Sequence, residues 1–244
     1  MKRNILTLII AVFALTQAAA QTYDNLWKQA DIIAQKDQPK SEIGVMKKII
    51  SKASAAKDYG QLMAAEMRQM ILWKEISADS LTPNVKRMEA EVLKVKDPAL
   101  KAVRYAVLGK VYRDHYYGIE GNDVVLDQSD DVALDLGDDV ALDLGDDSSS
   151  NQRDVNLKKS QEFFKKALEQ PELLAKHTST EYVPLTLKGV DGSSFNNDLL
   201  HLIGFEADSK EAYLLMYTYY NKVGNRGAAC LCAYKLIEKY RQDD

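Results

Sequence analysis

Three histidines, two cysteines, a run of aspartates and a set of tyrosines are the groups through which this chain could do chemistry. His115, His177 and His201 have no second His or Cys at helical ligand spacing, so each is read as structural rather than metal-binding. Cys230 and Cys232 lie two apart in a strongly helical stretch, where such side chains diverge. Neither a disulfide between them nor a zinc site is expected, and both are read as small buried apolar residues. Glu66 and Glu206 sit among apolar neighbours and are read as carboxylates at a helix rim. The chain holds no glycine-rich phosphate loop, no G-x-S-x-G turn and no H-E-x-x-H helix. No catalytic, cofactor-binding or metal-binding residue is therefore assigned, no cofactor is expected, and the chain is read as non-enzymatic.

The aspartates are concentrated in one place. "DDVALDLGDDVALDLGDD", residues 130–147, repeats eight letters and begins a third copy; from Asp123 to Asn151 there are ten Asp and no Lys or Arg. Aspartate oxygens suit calcium, but the spacing fits neither the EF-hand loop nor the nine-residue glycine-rich β-roll. Like charges with nothing to offset them favour a solvated insert, with calcium binding and partner binding as the weaker alternatives. Removing these ten carboxylates and the two leader cations from the formal net charge of −4 leaves +4 on the rest of the chain. Spread along many segments, that balance lacks the clustered basic stripe that nucleic acid requires.

Whatever these groups do, helices must hold them. "TYDNLWKQADIIAQK" places Leu26, Trp27, Ala30 and Ile33 at helical spacing after Thr22 or Asp24 as cap, and stops before Pro39. "KSEIGVMKKIISKASAAK" puts Ile43, Met46, Ile49, Ile50 and Ala53 on one face. A third helix starts near Asp58 and carries Leu62, Ala65, Met70, Leu72 and Trp73 to about Ile76. A fourth follows the Ser80–Pro83 start signal with Val85, Met88, Val92 and Leu93 as its buried row. Asp97-Pro98 caps a fifth, with Val103, Val107, Leu108, Val111 and Tyr112. Residues 177–197 read as irregular linker, because Pro184 breaks the one strand-like run and turn residues follow it.

With 46% hydrophobic and 28% charged residues in a chain of 244, there is enough material for one sizeable core or a short helical array. Lys2-Arg3, the apolar run Ile5–Leu15 and Ala18-Ala19-Ala20 have the order of a secretory leader, so the mature chain is expected to begin at Gln21. The apolar run is shorter than the roughly 20 residues of a spanning helix, and no Cys follows it to carry lipid. A periplasmic or secreted protein is expected, with no membrane span after leader removal.

The C-terminal stretch "AYLLMYTYYNKVGNRGAACLCAYKLIEKY" follows the grammar of tetratricopeptide-type helical hairpins. Tyr213, Met216, Tyr217 and Tyr220 form the inward row of its first helix. Gly224-Asn225 makes the turn, and Ala229, Ala233 and Leu236 face inward from the second. The same grammar occurs once more, split in two: Leu108, Gly109 and Tyr112, then Ser160, Phe164, Ala167, Leu168 and Pro171. In an uninterrupted repeat about three residues would join these halves; the acidic segment stands there instead, at a hairpin tip where closure entropy rises only by about 0.6 kcal/mol per doubling of length.

"YDNLWKQAD" after the leader, "DYGQLMAAEM", "DLLHLIGFEA" and "YYNKVGNRGAA" resemble the N-terminal helical region of bacterial alpha-2-macroglobulin-like exported proteins. The resemblance covers most of the mature chain outside the acidic segment. It implies the leading module of such a protease inhibitor, or a stand-alone remnant of one, with later domains of the same polypeptide as partner. The family's thioester is not carried over: neither Cys230 nor Cys232 is followed by the Glu-Gln of that motif.

The expectation is an all-α array of αα-hairpins: leader 1–20, helical hairpins 21–117, acidic insert 118–155 and helical continuation 156–244. Such an array is expected to act as a non-catalytic scaffold, presenting a concave surface to a protein partner or to downstream domains. The other reading is a periplasmic glycan or small-ligand binder using a groove lined by the tyrosines from Tyr213 to Tyr220.

Overall fold

The computed structural model describes residues 23–77, 80–117, 147–186, 189 and 191–242. Among them the fold is all-α, with no strand beyond one isolated bridge between Thr178 and Asp198. The leader and the repeated aspartate motif up to Asp146 lie outside the described residues. Among the described residues no helix is long and apolar enough to cross a membrane. The chain divides into two compact units, one up to Leu81 and one from Thr82 onward.

The first unit consists of α1 (23–34), α2 (Pro39–Ala56) and α3 (Tyr59–Ile76). Pro39 opens α2, where its missing N–H costs nothing, and Lys57 closes it with a left-handed φ of 56°. Asp58 then caps α3 by accepting from the Gln61 N–H at 3.2 Å. The two helices are thus joined by two residues and pack as a hairpin, burying Ile43, Met46, Ile49 and Ala53 with Leu62, Ala65 and Leu72. α1 contributes Tyr23 and Ala30 to this core. Arg68 of α3 ties the three helices together, donating to Glu42 of α2 at 2.5 Å and to Asp31 of α1 at 2.9 Å. Beside it the Trp27 indole donates to Gln61 at 2.6 Å.

The second unit holds α4 (Leu81–Val92), α5 (Pro98–Tyr117), α6 (Asp147–Ala167), α7 (Pro171–Leu174), α8 (Leu199–Ala207), α9 (Lys210–Lys222) and α10 (Arg226–Gln242). Asp97 caps α5 through the Leu100 N–H at 2.7 Å, as its position before Pro98 predicts. α5 and α6 pack as an αα-hairpin, although 29 residues of sequence separate Tyr117 from Asp147. A Cβ placed on Gly109 would lie 2.8 Å from the Phe164 ring, so the small residue lets the backbone of α5 approach α6. The same contact is fixed by the Ser160 hydroxyl, which donates to the Gly109 carbonyl at 2.7 Å. Tyr112 stacks on Phe163 at 5.5 Å and donates to Glu89 at 2.7 Å, which joins α4 to the pair. α9 and α10 form the second hairpin, turned by Gly224 at φ +79° and capped by Asn225, which accepts from the Ala228 N–H at 3.2 Å.

The structure corrects several sequence expectations. Residues 147–155, read as insert, are the first turns of α6. Leu93 falls beyond the end of α4 and is 69% exposed, because the helix stops at Val92. Tyr217 is turned to the surface rather than inward, and of the two cysteines Cys232 is buried whereas Cys230 is exposed. The 177–197 segment is irregular but not a loose linker. It winds through two short 3-10 turns, Ser179–Tyr182 and Gly192–Phe195, and buries Tyr182, Leu185, Thr186 and Phe195. The Thr186 hydroxyl donates to the Ser179 carbonyl inside it.

Gly109→Ala forces a methyl into the Phe164 ring, an overpacking cost of about 1–3 kcal/mol that outweighs the helix-propensity gain of about 1 kcal/mol. A methyl at Gly44 of α2 would meet nothing within 4 Å, so Gly44→Ala should instead gain about 0.5–1 kcal/mol. Urea unfolding of both variants is expected to give midpoint shifts of opposite sign; equal shifts would contradict the close approach of α5 and α6.

Candidate functional site at the two ends of a buried helix

The sequence "LLHLIGFEA" is apolar on every side, and a helix of that kind must be buried all round. In α8 each residue from Leu199 to Glu206 is buried. Gly204 is part of the reason: a Cβ there would run into the Met216 thioether of α9, so only hydrogen allows the two helices to close. Around the N-terminal half an aromatic cluster fills the space. The His201 ring lies flat on Phe195 at 4.1 Å and meets Phe205 edge-on at 4.5 Å, while Phe195 meets Tyr220 edge-on at 5.1 Å.

A carboxylate stands at each end of this buried helix. Asp198, 3% exposed, is the N-cap and accepts from the His201 N–H at 2.8 Å. Tyr220 of α9 donates its hydroxyl to the same carboxylate, 2.8 Å from one oxygen and 3.0 Å from the other. Burial pushes the Asp198 carboxyl up to about 6, against the opposing pull of its hydrogen bonds from His201, Tyr220 and Leu200. Burial likewise lifts the Cys232 thiol to about 12, with the Asp198 charge adding to it, and raises the Tyr220 phenol well above its ordinary value. Cys232 is therefore a thiol at neutral pH, not a nucleophile.

At the other end Glu206, 4% exposed, receives Lys110 of α5 at 3.1 Å and the Arg113 guanidinium of the same helix. Arg113 also donates to the Glu206 backbone carbonyl at 2.5 Å, placing a cation where the helix leaves its last carbonyls unpaired. Burial works against the Arg113 charge, yet Glu206 and Asp114 together hold its pKa above the ordinary value. The guanidinium lies over the Phe164 ring at 5.7 Å, so the α5–α6 contact and the α8 tether share a residue.

Chemically, this arrangement closes rather than exposes its reactive groups. Both carboxylates are occupied by protein donors, and His201 is buried in the aromatic stack. His177 lies at the surface with its Nδ1 2.8 Å from Glu181, and the His115 side chain is outside the described residues. Glu66 is half-buried on α3. Glu206, read from sequence as a rim carboxylate, is instead fully buried and doubly paired, since "LLHLIGFEA" does not reveal the cations that α5 supplies from more than ninety residues away. Sequence reasoning misses Asp198, although an Asp directly before an apolar run is an N-cap signature. Among the described residues no group of three or more His, Cys, Asp or Glu is placed to hold a metal ion. Comparison of the chain with protein-family models, with curated proteins and with solved structures gives no match.

Because the Asp198 pKa in the folded chain, about 6, is raised from 3.8, its contribution to stability is full below about pH 4 and is lost as pH rises through about 6. The difference across that window is about 3 kcal/mol at 1.36 kcal/mol per pKa unit. Asp198→Asn keeps an oxygen for the His201 N–H and for Tyr220 without the charge. Measured in urea from pH 3.5 to 8, the variant is expected to gain stability over the parent at pH 7.5 and to lose the parent's fall in stability between about pH 4 and pH 6. A variant that is less stable at pH 7.5 with that fall intact would contradict this assignment.

Proposed function

We propose that the chain is an exported, non-catalytic helical-repeat scaffold for contacts with a partner protein or with later domains of the same polypeptide. The single observation that carries this reading is the fate of its buried charges. Asp198 and Glu206, the two deeply buried carboxylates among the described residues of the second unit, are both closed off by protein donors and tie helices together. Catalytic acids and bases need a path to substrate, whereas these groups have been used to fix packing. Stacked helical hairpins joined in this way serve mainly to present surface.

The resemblance of "YDNLWKQAD", "DYGQLMAAEM", "DLLHLIGFEA" and "YYNKVGNRGAA" to the leading helical region of alpha-2-macroglobulin-like exported proteins supports the narrower form of the proposal, a leading module of such an inhibitor. The leader-like order of the first twenty residues supports the export part of the proposal. The glycan reading draws less support. Tyr213 and Tyr220 are buried, with their hydroxyls given to Asp208 at 2.8 Å and to Asp198, so they offer no face to a sugar.

Produced with its own first twenty residues in a Gram-negative host and cross-linked in the intact envelope, the protein is expected in the soluble envelope fraction. Mass spectrometry should find a chain beginning at Gln21, joined to one defined protein or to downstream sequence. Recovery as an uncross-linked monomer whose tyrosine and tryptophan fluorescence responds to oligosaccharides would contradict the scaffold reading in favour of ligand binding.

A further inference from the structure

The two hairpins of the second unit share one register, and the face that α8 packs on in the first is left open in the second. Leu108 and Tyr112 of α5 correspond to Met216 and Tyr220 of α9, and Ser160, Ala167 and Leu168 of α6 correspond to Ala229, Leu236 and Ile237 of α10. The pair that sets the helix approach fits the same register with its sizes exchanged: Gly109 and Phe164 in the first hairpin become Tyr217 and Ala233 in the second. On the first hairpin α8 packs against both helices, and its Glu206 receives Lys110 and Arg113 of α5. Ala106, one turn before Lys110, and Leu168, one turn after Phe164, are 0% and 5% exposed. Their counterparts Leu214 and Ile237 are 52% and 53% exposed.

The open residues fall on two lines. Lys210, Leu214, Tyr217 and Asn221 follow i, i+4, i+7, i+11 on α9, and Ala233, Ile237 and Tyr240 follow i, i+4, i+7 on α10, spacings that align side chains along a helix. The Lys210 ammonium lies 4.2 Å from the centre of the Tyr240 ring, which sets the two lines side by side. Leu214, Tyr217, Ile237 and Tyr240 are all exposed. Single exposed apolar residues are ordinary on protein surfaces, but four large ones on adjoining lines are not. One feature of the first hairpin is not repeated. Where Lys110 and Arg113 meet Glu206, the second hairpin has Thr218 and Asn221, both neutral and both exposed.

We infer that the face shared by α9 and α10 is a docking surface for one apolar α-helix of a partner protein, a helix with a neutral side chain where α8 carries Glu206. A single helix is the occupant because the equivalent face of the first hairpin takes one, in contact with both of its helices. Two copies of the chain meeting here would set one pair of lines against another, with no single ridge to lie between them. Thr218 and Asn221 decide the chemistry of the occupant. A carboxylate buried against them would leave water with no cation to receive it, so the seat selects against the charge that the first hairpin requires. This inference rests on the scaffold reading and names where and what the scaffold would bind.

The test uses a fluorescein-labelled synthetic helix carrying the α8 sequence from Asp198 to Ser209 between Ala-Lys turns, titrated with the purified chain and followed by anisotropy. It is made in three forms: with Glu206 as it stands, with Glu206→Gln, and with serine in place of its leucines. The Gln form is expected to bind about tenfold more tightly than either of the others. Leu214→Glu and Ile237→Glu should each weaken it by about tenfold without moving the melting temperature, since both residues are exposed. Thr218→Lys with Asn221→Arg restores the cations of the first hairpin and should turn the preference toward the Glu form. Equal binding of all three peptides, or binding untouched by both Glu variants, would overturn the inference. So would preference of the parent chain for the Glu form, which would mean that the peptide replaces α8 on the first hairpin. A chain dimer in sedimentation that Ile237→Glu dissolves would overturn it as well, making a second copy the occupant. If the peptides fail while the envelope cross-link persists in Ile237→Glu, this surface is wrong and the scaffold reading stands.

Discussion

Burying α8 on every side is the constraint from which the second unit follows. Eight consecutive residues from Leu199 to Glu206 leave water, and large apolar side chains each contribute about 1.5–3 kcal/mol by doing so. The two carboxylates at the helix ends leave water with them, and an uncompensated buried charge costs several kcal/mol. The helix can therefore be buried only where both ends find donors. Asp198 finds the Tyr220 hydroxyl from α9, and Glu206 finds Lys110 and Arg113 from α5. One helix thereby links the first hairpin of this unit to the second.

Shape enforces what charge permits. Gly109 lets α5 close onto Phe164, and Gly204 lets α8 close onto Met216. Arg113 lies over the same Phe164 ring while reaching Glu206, so the packing of the α5–α6 hairpin and the tether of α8 are one arrangement. The irregular stretch between α7 and α8 is drawn into it too: Phe195 stacks on His201, and the Ser179 N–H donates to the Asn197 carbonyl at 2.9 Å beside the Thr178–Asp198 bridge. In physical terms the segment is ordered by what it covers rather than by its own propensity.

Local signals are legible in the sequence, and non-local ones are not. Asp58, Asp97 and Gly224-Asn225 mark helix ends through bonds within a few residues, and each does so in the structure. The pairing of Leu108–Tyr112 with Ser160–Leu168 is also readable, because Gly109 and Ser160 are small where helices cross closely. Tyr217 and Cys230 depart from expectation for a definite reason: helical periodicity assigns residues to a face, but it does not say whether another element covers that face. The 177–197 segment reads as linker because turn residues look alike whether solvated or packed. Glu206 reads as a rim residue because its partners come from α5, at sequence separations of 93 and 96 residues.

If α8 is the member that both hairpins of the second unit depend on, it should open only when that unit opens. Native-state hydrogen exchange across a denaturant series measures this directly. Amides of 202–206 are predicted to exchange through the same global opening as those of 104–112 and 160–168, with the same denaturant slope. Exchange of α8 by a separate, lower-energy opening while α5 and α6 remain protected would contradict the account.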